Sequence, residues 1–140
     1  YDFEHSIRFI GFSGEEWGLY GSEYYAQGAR LHGDSILGVC NADMIAYTDA
    51  LPESVEVIAK LTNPACGPLA DFFIAAADTY TTLLTHKQMV TYWPYSDHSP
   101  FWDEGYQAVT NIEDSPVINP YYHSTGDTIG AGFRHCRGSF

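Results

Sequence analysis

Two adjacent carboxylates, Glu15 and Glu16, stand directly after Gly14 at the end of a short apolar run. Adjacent residues do not share a face of a regular helix or strand, but on a turn their side chains can diverge. One carboxylate could then bind a metal ion while the other acts on a water molecule or a substrate. The pair could equally be a solvated helix start whose charges the helix dipole favours, so it leaves both interpretations open.

Further polar groups that could bind a metal follow in three places: Asn41 with Asp43, Ser96–Asp97–His98, and Tyr122–His123 with Asp127. An acid buried at a strand end is costly unless it is paired or metal-bound, so Asp43 is either a ligand or a turn residue. His123, in a loop, is either a ligand or a surface histidine. Asp97 and His98 could form a carboxylate–histidine pair that orients a neighbouring group, or an Asx turn.

The elements that must position these residues alternate between strands and helices. Apolar runs predict strands over Ile7–Phe12, Ile36–Ile45, Val55–Leu61, Thr81–Leu84 and Tyr106–Ile112. Helical spacing predicts helices over Trp17–Arg30, fraying at Gly28 and Gly33, and over Pro64–Thr79, with one further turn at Phe101–Glu104. The residues expected to pack are Tyr24, Tyr25 and Ala26 in the first helix and Leu69, Phe72, Phe73, Ala76 and Ala77 in the second. This alternation indicates an α/β layered domain, in which ligands bind beyond the carboxyl ends of the strands.

The composition is that of one globular domain. The 140 residues are 45% hydrophobic and 17% charged, which excludes a disordered chain. With 6 basic and 18 acidic residues the formal charge is −12, which argues against nucleic acid as a partner. An acidic site suits divalent cations and the free amino terminus of a peptide, although net acidity can simply maintain solubility. Cys40 is predicted to be a small core residue, and no apolar run is long enough to span a bilayer.

Four motifs, considered together and in this order, resemble those of one enzyme family. They are Gly14–Ser22 (GEEWGLYGS), Asn41–Met44 (NADM), Ser96–Phe101 (SDHSPF) and Asn119–Thr128 (NPYYHSTGDT). They are similar to the motifs of the co-catalytic di-zinc aminopeptidases, a family that also includes glutamate carboxypeptidase and, more distantly, glutaminyl cyclase. The resemblance covers Ile7 to Thr128. It implies a three-layer α/β domain with a central mixed, mostly parallel sheet flanked by helices, and two Zn²⁺ ions per complete domain.

The resemblance also implies a role for each matching residue. Glu15 corresponds to the general base that takes a proton from a water bridging the two zinc ions. Glu16 and His123 correspond to ligands of one zinc ion, and Asp43 corresponds to a ligand of the other.

Four other positions match residues around the family's zinc ligands. Met44 and Tyr122 would lie near the pocket for the first side chain of a peptide with a free amino terminus. Asp97 and His98 match positions that support the ligands without binding metal. The family resemblance further implies a secreted, periplasmic or cell-envelope location.

Two departures from the family pattern shape the prediction. The family's remaining ligands, a histidine and a bridging aspartate, come from upstream motifs, whose spacing neither Asp2 nor His5 matches. Residues 130–140 have poor helix propensity where the family has a closing helix. We therefore expect residues 1–140 to be a partial zinc peptidase catalytic domain, truncated at both ends and inactive by itself. The alternatives are a glutaminyl cyclase-like acyltransferase and a non-catalytic fragment or binding ectodomain.

Overall fold

The computed structural model describes residues 4–45, 47, 52–113 and 119–127. A short 3-10 turn at Glu15–Trp17 is followed by α1 (Tyr20–His32), β1 (Val39–Ala42), β2 (Ser54–Lys60), α2 (Cys66–Tyr80), β3 (Leu84–Val90), α3 (Ser99–Asp103) and β4 (Ala108–Glu113). This order confirms the predicted alternation of strands and helices. None of the helices that these residues form has the length and apolarity that a membrane crossing requires.

The four strands form one mixed sheet in the order β1-β4-β2-β3. β1 is parallel to β4, with Val39 opposite Ala108, and β2 is parallel to β3. β2 and β4 are antiparallel, with Val57 opposite Asn111. As a result, the carboxyl ends of β1 and β4 lie side by side, and Asp43 and Glu113 are located there.

The core lies on both sides of β4. All six residues of this strand are buried, and because successive side chains point to opposite faces, both faces must be covered. Helix α2 packs against β2, β3 and β4, while α3 contacts β4 and α1. Trp102 of α3 is buried, and its indole Nε1 donates a hydrogen bond to the Ala108 carbonyl over 2.8 Å. The sheet is thus flanked by helices, as the sequence predicted.

Helix α1 ends where its glycine pattern predicts. Gly33 has a φ of 73°, and the Gly33 and Asp34 amides donate to the Arg30 and Ala29 carbonyls. This is the Schellman arrangement, which satisfies the last carbonyls of a helix. Gly28, predicted to mark the same end, instead lies inside α1, where a Cβ would meet nothing within 4 Å.

Two strand predictions are wrong. Ile7–Phe12 is not part of the sheet and is largely exposed, with Phe9 96% exposed, because no described strand pairs with it. Only Phe12 packs inward, with its ring centroid 5.8 Å from that of Tyr25. The strand predicted at Thr81–Leu84 begins only at Leu84, because Thr81 ends α2 by donating both its amide and its hydroxyl to the Ala77 carbonyl.

Three packing predictions are also wrong. Tyr24 and Phe72 are 84% and 73% exposed, because each lies on the outer side of its helix. Cys40 is exposed as well, because it lies with Ala42 on the exposed face of β1. Ala26 and Ala77 are buried as predicted, and Leu69 and Phe73 pack partly against the core. The predicted tail, including Cys136, lies outside the described residues.

Candidate active site

The turn that carries Glu15 and Glu16 is held at both ends by backbone contacts. It begins at Gly14 with a φ of 73° and ends at Gly18 with a φ of 117°, left-handed values that favour glycine. The Gly21 amide donates to the Ser13 carbonyl over 2.9 Å, so the first turn of α1 is joined to the residue before the turn. The adjacent carboxylates differ in burial, because Glu15 is half-buried and Glu16 is exposed.

Glu16 meets His123 although the two residues are far apart in sequence. Glu16 Oε1 lies 2.7 Å from His123 Nε2. His123 has a φ of 53°, and the Tyr122 ring stacks on its ring with centroids 3.8 Å apart. The structure therefore brings together the two residues that the family resemblance implies as ligands of one zinc ion.

Glu15 lies among other carboxylates. The pKa of Glu15 is raised, first by burial and then by the negative charges of Asp43, Glu16 and Asp97, and His123 opposes this shift. The same negative charges of Glu16, Asp43 and Glu15 act on Tyr122, whose pKa is also raised, chiefly by burial. The charges of Asp43, Glu16, Asp97 and His123 thus all act on Glu15, and we call these five residues together with Tyr122 the carboxylate cluster.

Asp43 and Met44 extend the pairing of β1 with β4 beyond the end of β1. The Asp43 amide donates to the Asn111 carbonyl over 3.0 Å, and the Glu113 amide donates to the Met44 carbonyl over 2.9 Å. Met44 has a φ of 49°, a strained value for a residue other than glycine. Its side chain packs partly against the core. Backbone hydrogen bonds thus fix the main chain at Asp43, a member of the carboxylate cluster.

Asp97 and His98 do not form the carboxylate–histidine pair that the sequence left open. His98 is fully buried, stacked on Trp93 at 5.5 Å and edge-on to Trp102 at 4.3 Å between ring centroids. Burial lowers the pKa of His98 to about 4, although the Trp93 main chain acts in the opposite direction. Neither ring nitrogen of His98 nor Oδ1 of Asp97 has a hydrogen-bond partner of good geometry. His98 is therefore a buried packing residue between Trp93 and Trp102. Asp97 contributes negative charge that acts on Glu15.

Asn41 connects this loop to the sheet. The Asn41 side-chain Nδ2 donates to Ser96 Oγ over 2.7 Å and to Thr110 Oγ1 over 3.0 Å. The Asn41 main-chain carbonyl accepts from Asn111 Nδ2 over 2.9 Å. Ser96 and Thr110 are both buried. Of the residues in the second motif, Asn41 is thus structural, and it sets the position of Asp97.

Glu113 was missed by the sequence interpretation. It is only 2% exposed, and its Oε1 and Oε2 accept hydrogen bonds from Asn119 Nδ2 and the Tyr47 amide over 2.8 and 2.9 Å. Burial raises the pKa of Glu113, and the charges of Asp127 and Asp43 raise it further, while the two hydrogen bonds lower it. The signal that selected Asp43, an acid at the carboxyl end of an apolar strand, also applies to Glu113.

The donors present suit zinc in type. Carboxylate oxygens and an imidazole nitrogen are ligands that Zn²⁺ binds, and Glu16 and His123 form one such pair. In the described parts of the chain, no three or more His, Cys, Asp or Glu side chains lie close enough together to hold a metal ion. The pair therefore fits part of a zinc site, because catalytic zinc usually has about three protein ligands.

Comparisons with known proteins show several to which this chain is similar. Leucine aminopeptidase 1 of Sclerotinia sclerotiorum is 30% identical over 132 residues, which cover 90% of this chain and 33% of that protein. The crystal structure of Legionella pneumophila LapA aminopeptidase matches with a TM-score of 0.72 at 24% identity, over 86% of this chain and 32% of that one. A zinc aminopeptidase from Bacillus subtilis matches with a TM-score of 0.59 at 23% identity, over 86% of this chain and 29% of that one.

At 24% and 23% sequence identity, the similarity to these two crystal structures shows a shared fold. The chain spans about a third of the length of the curated relatives it matches. The profile of peptidase family M28 matches residues 1–132, which is nearly the whole chain. The family resemblance seen in the motifs is therefore confirmed, and the chain belongs to peptidase family M28.

Proposed function

We propose that these residues belong to a zinc-dependent exopeptidase that removes amino-terminal residues from peptides and that holds two zinc ions in its complete site. The observation that carries the proposal is the 2.7 Å contact between Glu16 Oε1 and His123 Nε2 beside the half-buried Glu15. It supports the proposal because two zinc-compatible donors meet next to a candidate general base. The relatives reported above are named aminopeptidases, which favours hydrolysis over the cyclisation performed by glutaminyl cyclases.

In this proposal Glu16 and His123 hold one zinc ion and Asp43 holds the other. Zinc, when bound, polarises the scissile carbonyl and lowers the pKa of water. The stacking of Tyr122 on His123 supports the assignment, because it restricts the orientation of the imidazole. The hydrogen bond from the Asp43 amide to Asn111 supports it in the same way, because it fixes the backbone next to the carboxylate.

Glu15 is the general base of the proposed reaction. It takes a proton from the attacking water and delivers it to the leaving amine. The raised pKa of Glu15 supports this role, because a carboxylate with a higher pKa accepts a proton more readily. Bound cations would offset the part of the shift that comes from neighbouring carboxylates, whereas the part that comes from burial would persist.

The remaining side chains indicate the substrate. The carboxylate cluster suits the positive charge of a peptide's amino terminus, which it would attract into the site. Tyr122 and Met44 adjoin His123 and Asp43 in sequence, so we assign them to the pocket for the first side chain of the substrate. Both side chains present apolar surface, which predicts a preference for large apolar amino-terminal residues.

The assignment of the base is tested by separating turnover from metal content in the complete gene product that contains this chain. Glu15→Gln should lower kcat by about 10²–10⁴-fold, the usual contribution of general acid–base catalysis, and should leave zinc content near wild type. Glu16→Gln and His123→Ala should lower both zinc content and turnover. Zinc is measured by elemental mass spectrometry, and turnover is measured with a leucyl chromogenic substrate.

The matched control is Glu23→Gln, the same chemical change at an exposed position in α1. It should leave zinc content and turnover unchanged. If Glu15→Gln lost zinc while Glu16→Gln kept both zinc and turnover, the two roles would be assigned the wrong way round. If the wild-type protein bound zinc but cleaved no amino-terminal residue, the proposed function itself would be wrong.

A further inference from the structure

Glu113 is a buried carboxylate that connects two separate loops of the candidate site. It is the last residue of β4, and both of its oxygens are occupied: Oε2 by the Tyr47 amide and Oε1 by the Asn119 side chain. Burying a carboxylate is unfavourable unless hydrogen bonds compensate for the lost water. An apolar side chain would be sufficient if this position only filled space in the core. The two hydrogen bonds therefore indicate that the carboxylate itself has a role.

The first of the two loops follows β1. It carries Asp43 and Met44, and Tyr47 comes soon after them. The Glu113 amide also donates to the Met44 carbonyl over 2.9 Å, so the backbone and the side chain of Glu113 both hold this loop. Since Met44 has a positive φ of 49°, its conformation has to be stabilised by its surroundings.

The second loop carries Tyr122 and His123. Asn119, whose amide donates to Glu113, also accepts a hydrogen bond from the Tyr121 amide at its Oδ1 over 2.9 Å. The Tyr122 amide donates to the Asn119 carbonyl over 3.2 Å. Asn119 therefore determines the turn that presents His123, and Glu113 determines the orientation of Asn119. The Tyr47 and Tyr121 rings meet edge to face at 6.1 Å between centroids, a second contact between the two loops.

We propose that Glu113 is a positioning residue that joins the loop carrying Asp43 to the loop carrying His123 and so sets the separation of the two proposed zinc ligands. The inference rests on the proposed function, because only the proposed roles of Asp43 and His123 make their separation important. The carboxylate is needed as such, since both of its neighbours are hydrogen-bond donors. A glutamine at this position could accept only one of the two hydrogen bonds and would turn its own NH₂ group toward the other donor.

A swap of donor and acceptor provides the sharpest test, in the complete gene product. Glu113→Gln alone leaves one donor facing another donor, and Asn119→Asp alone leaves two carboxylates facing each other. In the double variant Glu113→Gln/Asn119→Asp, the introduced amide can donate to the introduced carboxylate and still accept from the Tyr47 amide. The introduced carboxylate also keeps an oxygen for the Tyr121 amide. Hydrogen bonding is thus restored in the reverse direction with the total charge unchanged.

We expect each single variant to lose about 10–100-fold in zinc affinity and in kcat/KM, the usual cost of losing a partner that orients a metal ligand. The double variant should recover most of both losses. The matched control is Glu56→Gln, in which Glu56 Oε1 accepts from Gln88 Nε2 over 2.7 Å between β2 and β3, on strands that do not carry the site. It should leave zinc affinity and kcat/KM unchanged. Far-ultraviolet circular dichroism checks that each variant is folded at the assay temperature.

Hydrogen exchange at the Tyr47 amide gives a readout that is independent of activity. This amide should exchange faster in Glu113→Gln or in Asn119→Asp, and slowly again in the double variant. If both folded single variants kept zinc affinity and kcat/KM within about twofold of a wild-type protein that is active, the positioning role would be overturned and the proposed function would stand. If the wild-type protein cleaved no peptide, the proposed function would fail and the positioning role would fail with it.

Discussion

At Gly21, close to the turn that carries Glu15, any side chain would clash with backbone atoms. It lies in the first turn of α1, and its amide donates to the Ser13 carbonyl over 2.9 Å. A Cβ at this position would stand 2.7 Å from the Ser13 carbonyl oxygen and 2.8 Å from the Ser13 nitrogen. Both atoms belong to the backbone, so neither can move without moving Gly14 and the turn that carries Glu15. We therefore predict that Gly21→Ala displaces this turn.

The expected cost of Gly21→Ala combines three contributions. Helix propensity favours alanine over glycine by about 1 kcal/mol. Overpacking against backbone costs about 1–3 kcal/mol, and the strained hydrogen bond to Ser13 costs about 1 kcal/mol more. The net destabilisation is then about 1–3 kcal/mol. Gly28→Ala is the matched control in the same helix: its Cβ would meet nothing within 4 Å, so it should stabilise by about 0.5–1 kcal/mol.

Urea unfolding of the complete gene product measures both effects, provided that the slope m is the same for each variant. Gly21→Ala should lower the midpoint and Gly28→Ala should raise it. Peptidase turnover at low urea should fall for Gly21→Ala, because Glu15 is displaced, and should remain unchanged for Gly28→Ala. If Gly21→Ala raised the midpoint as much as Gly28→Ala does, the contact with Ser13 would not constrain the turn, and the reasoning would be refuted.

Two further predictions concern pH and substrate. His98 has its pKa lowered from 6.5 to about 4, so the folded protein keeps it neutral while the unfolded chain takes up a proton as the pH falls. Its contribution to stability should therefore be constant above about pH 7 and decrease by about 3 kcal/mol between pH 6.5 and 4, at 1.36 kcal/mol per pKa unit. Urea unfolding at several pH values should show a shallower decrease for His98→Phe, and an identical decrease would exclude His98 as the cause. In the complete gene product, leucyl substrates should be cleaved faster than glutamyl or lysyl ones, and Tyr122→Ala should reduce this preference. Faster cleavage of the charged substrates would contradict the proposed roles of Met44 and Tyr122.

Apolar runs and helical spacing predicted most of the helices and strands, because these patterns depend only on residues close together in sequence. The apolar run Val55–Leu61 became β2, and the helical spacing from Pro64 became α2, with limits that differ by one or two residues. Ile7–Phe12 has an equally apolar pattern but no strand beside it in the described sheet, and strand formation depends on a partner. The strand predicted at Thr81–Leu84 shares only Leu84 with β3, because Thr81 ends the preceding helix with its amide and its hydroxyl, and the rest of β3 was not predicted.

The candidate site was predicted in its residues but not in its geometry. The motifs selected Glu16 and His123, yet only the fold shows that their side chains meet at 2.7 Å. The positive φ of Met44 could not be predicted, because a methionine rarely adopts that conformation. Glu113 was missed because it ends a strand interpreted only for its apolar residues, although its position matches that of Asp43.

The pairing of β1 with β4 has a consequence for the order of events during synthesis. Val39 lies opposite Ala108, so β1 has no described strand to pair with until β4 has left the ribosome. β2 and β3 are closer in sequence, and contacts between residues that are close in sequence form faster. The contact between Glu16 and His123 joins segments that are farther apart still. The candidate site is therefore assembled from the first and last described parts of the chain, and a nascent chain that has not yet reached His123 cannot contain it.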